Sequence, residues 1–389
     1  MAWLTTYQDP VDMSSWNVLS DFATGSFMGE SATKFLVKSN GETYVFAGTD
    51  FTYDSNGDVT GGTITHIRAI DQSSGEDNYR IGGLNLSIQQ FETFAQTNDL
   101  TGFENAVFGG NDVFHTEDDT SGGYFEGFGG NDVFQFSTPV IVPCDGGGGY
   151  NTVVLSSGYG YLFQPGLFEN IQKIVLEPGT YDIIMQNFTS GDPDNISGGK
   201  PLTIDGHLLT AADRLNFQTV DEAVHMNFIG GAGNDTLYGG TGSNTFYGGM
   251  GLDDLGGFEG HNNTYIYHSV AESTGIGADL INGFNAKTDH FEIPTAVTGV
   301  DAAITGGSLN FATFDTDLAA AVQGHLEAYH AILFTPDSSS ALNGTIALVI
   351  DQNGIPGYQD GGDLVMFLAA AHSPNLSHLS VSDFTVWPG

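Results

Sequence analysis

The chain has 389 residues, with 47 Asp and Glu against 8 Lys and Arg, and a formal net charge of -39 at pH 7. Nucleic-acid binding requires basic patches that replace counterions, so eight scattered basic residues exclude that class of function. An anionic membrane would repel this surface, and no apolar run of about 18 residues predicts a membrane span.

Hydrophobic residues make up 40% of the sequence, which is enough for a long core once the negative charge is neutralised. Cys144 is the only cysteine, so no intrachain disulfide can form. The N-terminus lacks the basic and apolar regions of a signal peptide. We therefore expect bound cations to stabilise the fold, and a metal-free chain that is expanded.

Residues 1–105 are predicted to form a small N-terminal α+β module. Alternating apolar and β-branched residues flank Asn56-Gly57, a dipeptide favoured in hairpin turns. A further strand pair is expected near Asn78 to Ile81, followed by an amphipathic helix from about Ser87 to Thr97. Asp54, Asn56 and Asp58 are interpreted as part of the turn, because no acidic residue completes an EF-hand loop.

Residues 106–155 contain three loose nine-residue rows, VFGGNDVFH, GFGGNDVFQ and GGGGYNTVV. Their sixth positions are Asp112, Asp132 and Asn151, at intervals of 20 and 19 residues. The row expected between the two aspartates is barely recognisable in EDDTSGGYFE. Ordinary glycine-rich loops are the alternative interpretation of this block.

Residues 156–229 carry short apolar runs, namely IQKIVL, YDIIM, PLTIDG, RLNFQ and VHMNFIGG. Their spacing of about 10 to 20 residues favours further solenoid coils without calcium-binding turns.

Residues 230–265 form the most regular block, with rows GGAGNDTLY, GGTGSNTFY and GGMGLDDLG and a weaker fourth row, GFEGHNNTY. Glycine in the first half of each row permits tight turns, and the apolar eighth positions, Leu237, Phe246 and Leu255, favour a short buried strand. If two rows form one coil, residues 18 apart should stack.

These rows follow the pattern G-G-x-G-x-D-x-U-x, which resembles the calcium-binding repeats of the RTX (repeats-in-toxin) family. The resemblance implies a mainly β fold, a parallel β-roll or β-solenoid with calcium-binding turns. It also implies type I secretion through an uncleaved C-terminal signal and an extracellular location, at or near the cell surface.

Calcium takes six to eight oxygen ligands, and stacked turns can supply carboxylates and glycine carbonyls. We expect the ligands of the main site to be the carboxylates of Asp235 and Asp253 with the carbonyl oxygens of Gly231, Gly233, Gly249 and Gly251. Asp112 and Asp132 are a second candidate pair. Asn244, Asn262 and Asn151 supply only neutral amide oxygens, so we expect the Asn244 edge to bind calcium weakly or not at all.

Residues 266–389 are predicted to form a β-rich cap that includes the secretion signal, because an open solenoid end would expose unpaired strand edges. Asp279, Ile281, Phe284 and Asp289 are similar to the segment that closes the roll in serralysin-type proteins. Residues 348–368 are interpreted as a hairpin with a glycine-rich turn. A further calcium site around Asp351, Asn353 and Asp363 is the alternative.

No motif for catalysis is found: the sequence lacks H-E-x-x-H, G-x-S-x-G and the phosphate-binding G-x-x-x-x-G-K-[ST] loop. His325, Glu327 and His330 come closest to a zinc motif, but their spacing does not place both imidazoles on one helical face. We expect a non-enzymatic, secreted calcium-binding structural protein of the cell surface or extracellular matrix, with self-assembly into filaments or a layer. The alternatives are a polysaccharide-acting hydrolase or lyase, for which two carboxylates suffice, and an adhesin for a cell-surface polysaccharide.

Overall fold

The computed structural model describes residues 1–7, 11–117, 123–137, 141–156, 158, 160–163, 166–185, 196–219, 224–257 and 261–388. The fold is mainly β and contains large parallel sheets. Two compact units are present, one of Met1–Ser157, Pro165–Val175 and Asp192–Gly199, the other of Gly158–Gln164, Leu176–Gly191 and Lys200–Gly389. Within the described ranges, no helix is long and apolar enough to cross a membrane.

The strands are β1 Trp3–Thr6, β2 Ser26–Ser31, β3 Lys34–Ser39, β4 Glu42–Tyr53, β5 Val59–Asp71, β6 Asp77–Ser87, β7 Val113–Thr116, β8 Phe125–Glu126, β9 Val133–Phe136, β10 Cys144–Asp145, β11 Thr152–Leu155, β12 Gly160–Phe163, β13 Phe168–Glu169, β14 Lys173–Leu176, β15 Thr180–Met185, β16 Leu202–Asp205, β17 Arg214–Thr219, β18 Met226–Gly231, β19 Thr236–Tyr238, β20 Thr245–Gly249, β21 Asp254–Gly256, β22 Thr264–Ile266, β23 Asp279–Asn282, β24 His290–Ile293, β25 Gly299–Val300, β26 Ile304–Thr305, β27 His330–Thr335, β28 Thr345–Asp351, β29 Asp363–Ala369 and β30 Phe384–Val386. The α-helices are α1 Val18–Thr24, α2 Ile88–Thr97, α3 Leu100–Phe108 and α4 Phe314–Val322. Short 3-10 helices span Met13–Ser15, Val270–Glu272, Gly275–Gly277, Phe311–Thr313, Leu376–His378 and Val381–Asp383.

The predicted N-terminal hairpin is confirmed: β4 and β5 pair antiparallel on either side of the Asn56-Gly57 turn. Oδ1 of Asp54 accepts the backbone N–H groups of Asn56 at 2.7 Å and of Asp58 at 3.0 Å. Gly57 adopts φ +88°, a left-handed conformation that favours glycine. The Asp54 carboxylate therefore holds this turn together.

Helix α2 confirms the predicted amphipathic helix. Ser87 and Gln90 form a reciprocal capping box at its start, and the helix buries Ile88, Phe91 and Ala95. Helix α3 was not predicted, although Asp99 is its N-cap and accepts the N–H of Gly102 at 2.9 Å. Its sequence signal was an aspartate placed directly before an apolar run.

In the first unit, the antiparallel strands β2 to β6 continue through β1 into the parallel series β7, β9, β11 and β14. Strands β8, β10 and β13 form a separate three-stranded parallel sheet. Phe114 and Phe134, from β7 and β9, stack with ring centroids 4.8 Å apart.

In the second unit, successive strands of the glycine-rich rows alternate between two parallel sheets. Strands β16, β18, β20, β22, β24 and β30 follow one another in one sheet, and β12, β15, β17, β19, β21 and β23 in the other. Thr236 of β19 pairs with Asp254 of β21, and Thr245 of β20 pairs with Thr264 of β22. The rows that stack are therefore alternate rows, as the spacing predicted.

The apolar eighth positions lie in the core between these turns. Leu237, Phe246 and Leu255 are almost completely buried. The ring of Phe246 stacks on Phe228 and on Tyr265, with both centroid distances 5.3 Å. A column of aromatic side chains therefore runs from β18 through β20 to β22.

The C-terminal part of the second unit is a β-rich segment. Strands β29, β28 and β27 extend the sheet beyond β23, with β23 and β29 parallel and the other two pairings antiparallel. Helix α4 lies on this sheet and contributes buried Phe314, Leu318 and Val322 to a core cluster with Val349 and Val365.

Candidate metal centre

Asp235 and Asp253, the predicted principal ligands, stack directly on one another. Each comes immediately before a strand, and those strands, β19 and β21, pair in parallel register. The backbone N–H of Asp235 donates to Oδ1 of Asp253 at 2.8 Å, and both side chains are buried. The fold thus brings together the two carboxylates that sequence spacing predicted.

A third carboxylate continues this series. The backbone N–H of Asp253 donates to Oδ1 of Asp279 at 2.9 Å, because β23 pairs with β21. We call Asp235, Asp253 and Asp279 the aspartate ladder. Asp279 was predicted as part of the cap and not as a member of the ladder, because it follows Asp253 by 26 residues and not by 18.

The glycines around these side chains are required by close contacts. A Cβ on Gly230 would lie 2.6 Å from Oδ2 of Asp235, so the carboxylate occupies the space that a side chain would need. Cβ atoms on Gly249 and Gly251 would meet the carbonyl oxygens of Gly231 and Gly233 in the turn stacked beside them. Successive turns therefore approach backbone to backbone, and the four predicted carbonyl groups lie in these stacked turns.

Carboxylate oxygens in the aspartate ladder are not fully satisfied. Oδ2 of Asp235 accepts the N–H of Gly231 at 2.7 Å, whereas Oδ2 of Asp253 and of Asp279 are buried without a hydrogen-bond partner. Burial raises the pKa of Asp235 to about 6, and raises the pKa values of Asp253 and Asp279, with a neighbouring carboxylate adding to the effect. A bound proton or a cation would relieve this excess of buried negative charge.

The opposite edge of the rows stacks through the same kind of hydrogen bond but carries amides at two of its three positions. The N–H of Asn244 donates to Oδ1 of Asn263 at 3.1 Å, and the N–H of Asn263 donates to Oδ1 of Asp289 at 2.9 Å. We call these three residues the asparagine ladder. Asn263 stacks here, and not the predicted Asn262, because strand pairing places Thr264 beside Thr245 and leaves Asn262 exposed.

The side-chain amide of Asn244 hydrogen-bonds to backbone carbonyl groups of the turn that precedes it. Its Nδ2 donates to the carbonyl oxygens of Gly240 at 3.0 Å and of Gly242 at 2.9 Å. These carbonyls are therefore satisfied by a neutral donor and do not require a cation. Oδ1 of Asn244 is buried without a hydrogen-bond partner, but it is a neutral amide oxygen. The lower buried negative charge of this edge is the physical reason to expect weaker metal binding than at the aspartate ladder.

The first block of rows has the same construction. The N–H of Asp112 donates to Oδ1 of Asp132 at 2.8 Å, that of Asp132 to Oδ1 of Asn151 at 2.9 Å, and that of Asn151 to Oε1 of Gln172 at 2.6 Å. We call these four residues the N-terminal ladder. Sequence reasoning missed Gln172, which lies outside any glycine-rich row.

In the N-terminal ladder, Oδ2 of Asp112 and Oδ2 of Asp132 are also buried without partners. Burial raises the pKa of Asp132 to about 7 and raises that of Asp112. Of the row expected between these aspartates, residues 118–122 lie outside the described part of the chain.

In the described ranges, one group of three His, Cys, Asp or Glu residues brings its ligand atoms within 4.8 Å of one another: Asp301, Glu327 and His330. Oδ1 of Asp301 lies 2.9 Å from Nδ1 of His330, and its Oδ2 accepts the N–H of Glu327 at 2.9 Å. Both Asp301 oxygens thus have protein partners. These contacts hold the three residues together at the start of β27.

The N-terminal module contains a polar cavity of about 280 Å³ whose lining includes Trp16, Asp21, Glu42 and Tyr44. Asp21 is buried and accepts hydrogen bonds from Asn40 and Tyr44, at 2.6 and 2.7 Å. Carboxylates beside an aromatic ring suit a ligand that carries hydroxyl groups. This cavity is one place in the module where a small polar ligand would fit.

Comparison with protein-family models and with curated proteins found no match for this chain.

Proposed function

We propose that this chain is a calcium-binding structural protein of the cell surface or extracellular matrix, whose glycine-rich rows fold as a parallel β-roll when calcium binds. The observation that carries the proposal is the set of buried, unpartnered Oδ2 atoms at Asp253, Asp279, Asp112 and Asp132. They occur in a chain with only 8 Lys and Arg to balance 47 acidic residues.

Calcium fits the donor set better than other common cations. The ligands available in the stacked turns are carboxylate and carbonyl oxygens, which hard cations prefer, and histidine or cysteine is absent from the rows 230–256. One ion would lie between Asp235 and Asp253, together with carbonyl oxygens of Gly231, Gly233, Gly249 and Gly251. Asp253 and Asp279 would hold another ion one strand further along, because neighbouring strands are about 4.8 Å apart and the three carboxylates cannot all reach one ion. Asp112 and Asp132 would form a separate site in the first block.

The row pattern and the alternation of strands between two parallel sheets support membership of the RTX class. Such a protein would be secreted before it folds, and external calcium would then neutralise the charge that keeps it expanded. The chain would therefore fold only when calcium binds, so that binding and folding are a single coupled transition.

The decisive experiment compares metal-free protein with protein in 5 mM calcium by far-UV circular dichroism and small-angle scattering. We expect calcium to increase β content and to reduce the radius of gyration, with 5 mM magnesium much less effective. Spectra and radii unchanged by calcium or by excess chelator would refute calcium-coupled folding.

Self-association is the further part of the proposal. In the second unit, β30 is the last strand of its sheet and pairs only with β24 among the described strands. An open strand edge is a pairing surface, and calcium would screen repulsion between acidic chains. Light scattering at increasing protein concentration in calcium should show particles larger than one chain. A mass that stays monomeric would contradict this part alone.

The N-terminal cavity favours a second candidate function, action on a polysaccharide. Asp21 and Glu42 supply two carboxyl groups beside Trp16, in a module that the rows do not explain. Release of new reducing ends from alginate, pectin or dextran, lost in Glu42→Gln and retained in the exposed control Asp50→Asn, would support it. Absence of release from all three polymers would contradict it.

A further inference from the structure

Two completely buried carboxylates face each other at one end of the β28–β29 hairpin. Asp351, the last residue of β28, pairs in register with Asp363, the first residue of β29. Both side chains have no exposed surface. Residues 352–362 connect the strands and close over this pair.

The partners of these carboxylates are backbone amides. Oδ1 of Asp351 accepts the N–H groups of Tyr329 at 3.0 Å and of Gly354 at 2.6 Å. Oδ1 of Asp363 accepts the N–H of Gln352 at 3.1 Å, and its Oδ2 accepts that of Gln359 at 2.7 Å. Oδ2 of Asp351 is buried and has no hydrogen-bond partner.

Among the described residues, no Lys or Arg side chain forms an ion pair with either of these carboxylates. No Lys or Arg follows Lys287 in the sequence, and none of the ion pairs between described residues includes Asp351 or Asp363. Backbone amides supply partial dipoles only. Two buried carboxylates without a counter-charge are strongly unfavourable, so the pair must hold either a proton or a cation from solution.

We propose that the connection between β28 and β29 is a calcium site, held by Asp351 and Asp363 together with backbone carbonyl oxygens of residues 352–362. The segment 351–363 contains no histidine or cysteine, which disfavours transition metals. Its irregular backbone, with Gly354 at φ +77° and Gly357 at φ +91°, suits the variable geometry of calcium better than the octahedral geometry of magnesium.

The site would stabilise the C-terminal segment independently of the ladders. Asp351 links the hairpin to the residue that precedes β27, through the N–H of Tyr329. The three strands that meet here carry Ile332, Val349 and Val365 of the core cluster under α4. Calcium at this position would therefore fix the hairpin on which that core is built.

The test is the calcium content of the full-length chain after equilibrium dialysis in 1 mM calcium, measured by mass spectrometry. Asp351→Asn and Asp363→Asn should each bind one ion fewer than Asp337→Asn, a control that removes an exposed acid from the turn between β27 and β28. Equal contents in all three variants would overturn the proposal and indicate that the pair holds a proton.

Two further measurements distinguish calcium binding at the hairpin from calcium binding at the ladders and from a folding defect in the variants. If Asp253→Asn binds as much calcium as wild type while Asp351→Asn loses one ion, the ladder proposal fails and the hairpin site stands. Amide hydrogen exchange of residues 345–369 in the wild-type chain should slow at least tenfold on calcium addition. Unchanged exchange would overturn the proposal even if the variants fail to fold.

Discussion

The backbone N–H of Asp253 donates to Oδ1 of Asp279 at 2.9 Å, and this bond joins the third glycine-rich row to the segment that follows the repeats. Ser273 completes the arrangement, because its hydroxyl accepts the N–H of Asp279 at 2.9 Å. The segment after the rows therefore contributes a carboxylate to the candidate site as well as covering the end of the rows.

This relationship predicts that Asp279 is as important for calcium binding as the aspartates of the rows. Asp279→Asn and Asp253→Asn should each weaken calcium binding at least tenfold, or about 1.4 kcal/mol, because each removes a buried carboxylate oxygen. Isothermal titration calorimetry measures the effect. Asp254→Asn is the matched control, since it makes the same charge change one residue away. Equal weakening by this control would show that net charge, and not the ladder, sets affinity.

The raised pKa values predict an unusual pH dependence for the metal-free protein. Burial raises the pKa of Asp235 and of Asp289 to about 6 and that of Asp132 to about 7, from an ordinary value of 3.8. The folded state thus binds these protons more tightly than the unfolded chain. The stability that they contribute is complete below about pH 4 and is lost as pH rises through 6 to 7.

Thermal unfolding of calcium-free protein at pH 4.5, 5.5, 6.5 and 7.5 measures this dependence. The midpoint should fall as pH rises. Calcium should stabilise the protein more at pH 7.5 than at pH 5.5, because it competes with protons for the same oxygens. A calcium-free midpoint that is constant or rises over this range would contradict the assignment.

The asparagine ladder predicts an opposite response to substitution. Asn244→Asp removes the Nδ2 donor that satisfies Gly240 and Gly242, and it adds a buried charge. At pH 7.5 and the lowest calcium concentration that keeps the wild-type chain folded, we expect the variant to lose roughly 3–5 kcal/mol of stability, the usual cost of an uncompensated buried charge. Excess calcium should restore much of this loss, which chemical denaturation at low and high calcium can measure. A loss that calcium leaves unchanged would show that this edge cannot hold the ion.

Contact geometry predicts that Gly248 cannot be replaced. A Cβ at this position would collide with Oδ2 of Asp253, so Gly248→Ala should cost about 1–3 kcal/mol through overpacking. Gly277→Ala is the control, because a Cβ there would meet nothing within 4 Å. Denaturant unfolding should show a shift for the first variant only. Equal stabilities would show that the turn can open to admit a side chain.

The aromatic column predicts where the core is most sensitive. Phe246 is fully buried between Phe228 and Tyr265, so Phe246→Ala should cost about 3–5 kcal/mol. Leu252→Ala, in the turn of the next row, should change stability by less than about 0.5 kcal/mol because that side chain is 45% exposed. Comparable losses would mean that the column is not the core of the rows.

Much of the local structure could be predicted because short-range signals specify it. Asn56-Gly57 specifies a hairpin turn by its conformational preference, and Ser87 with Gln90 specifies a helix start. The stacking of Asp235 on Asp253 follows from a constant row length. Helix α3 was missed because Asp99, its N-cap, was not recognised at the end of the preceding helical pattern.

The sequence by itself determined the composition of the rows: glycine where turns approach closely, an apolar residue for the core, and aspartate or asparagine at the sixth position. Tertiary structure alone decided which side chains complete the ladders. Strand pairing recruits Asp279 and Gln172 from outside the rows and selects Asn263 over Asn262. The physical reason is that side chains stack according to the hydrogen-bond register between strands. Because the connections between strands vary in length, stacked residues are not a constant number of positions apart in the sequence.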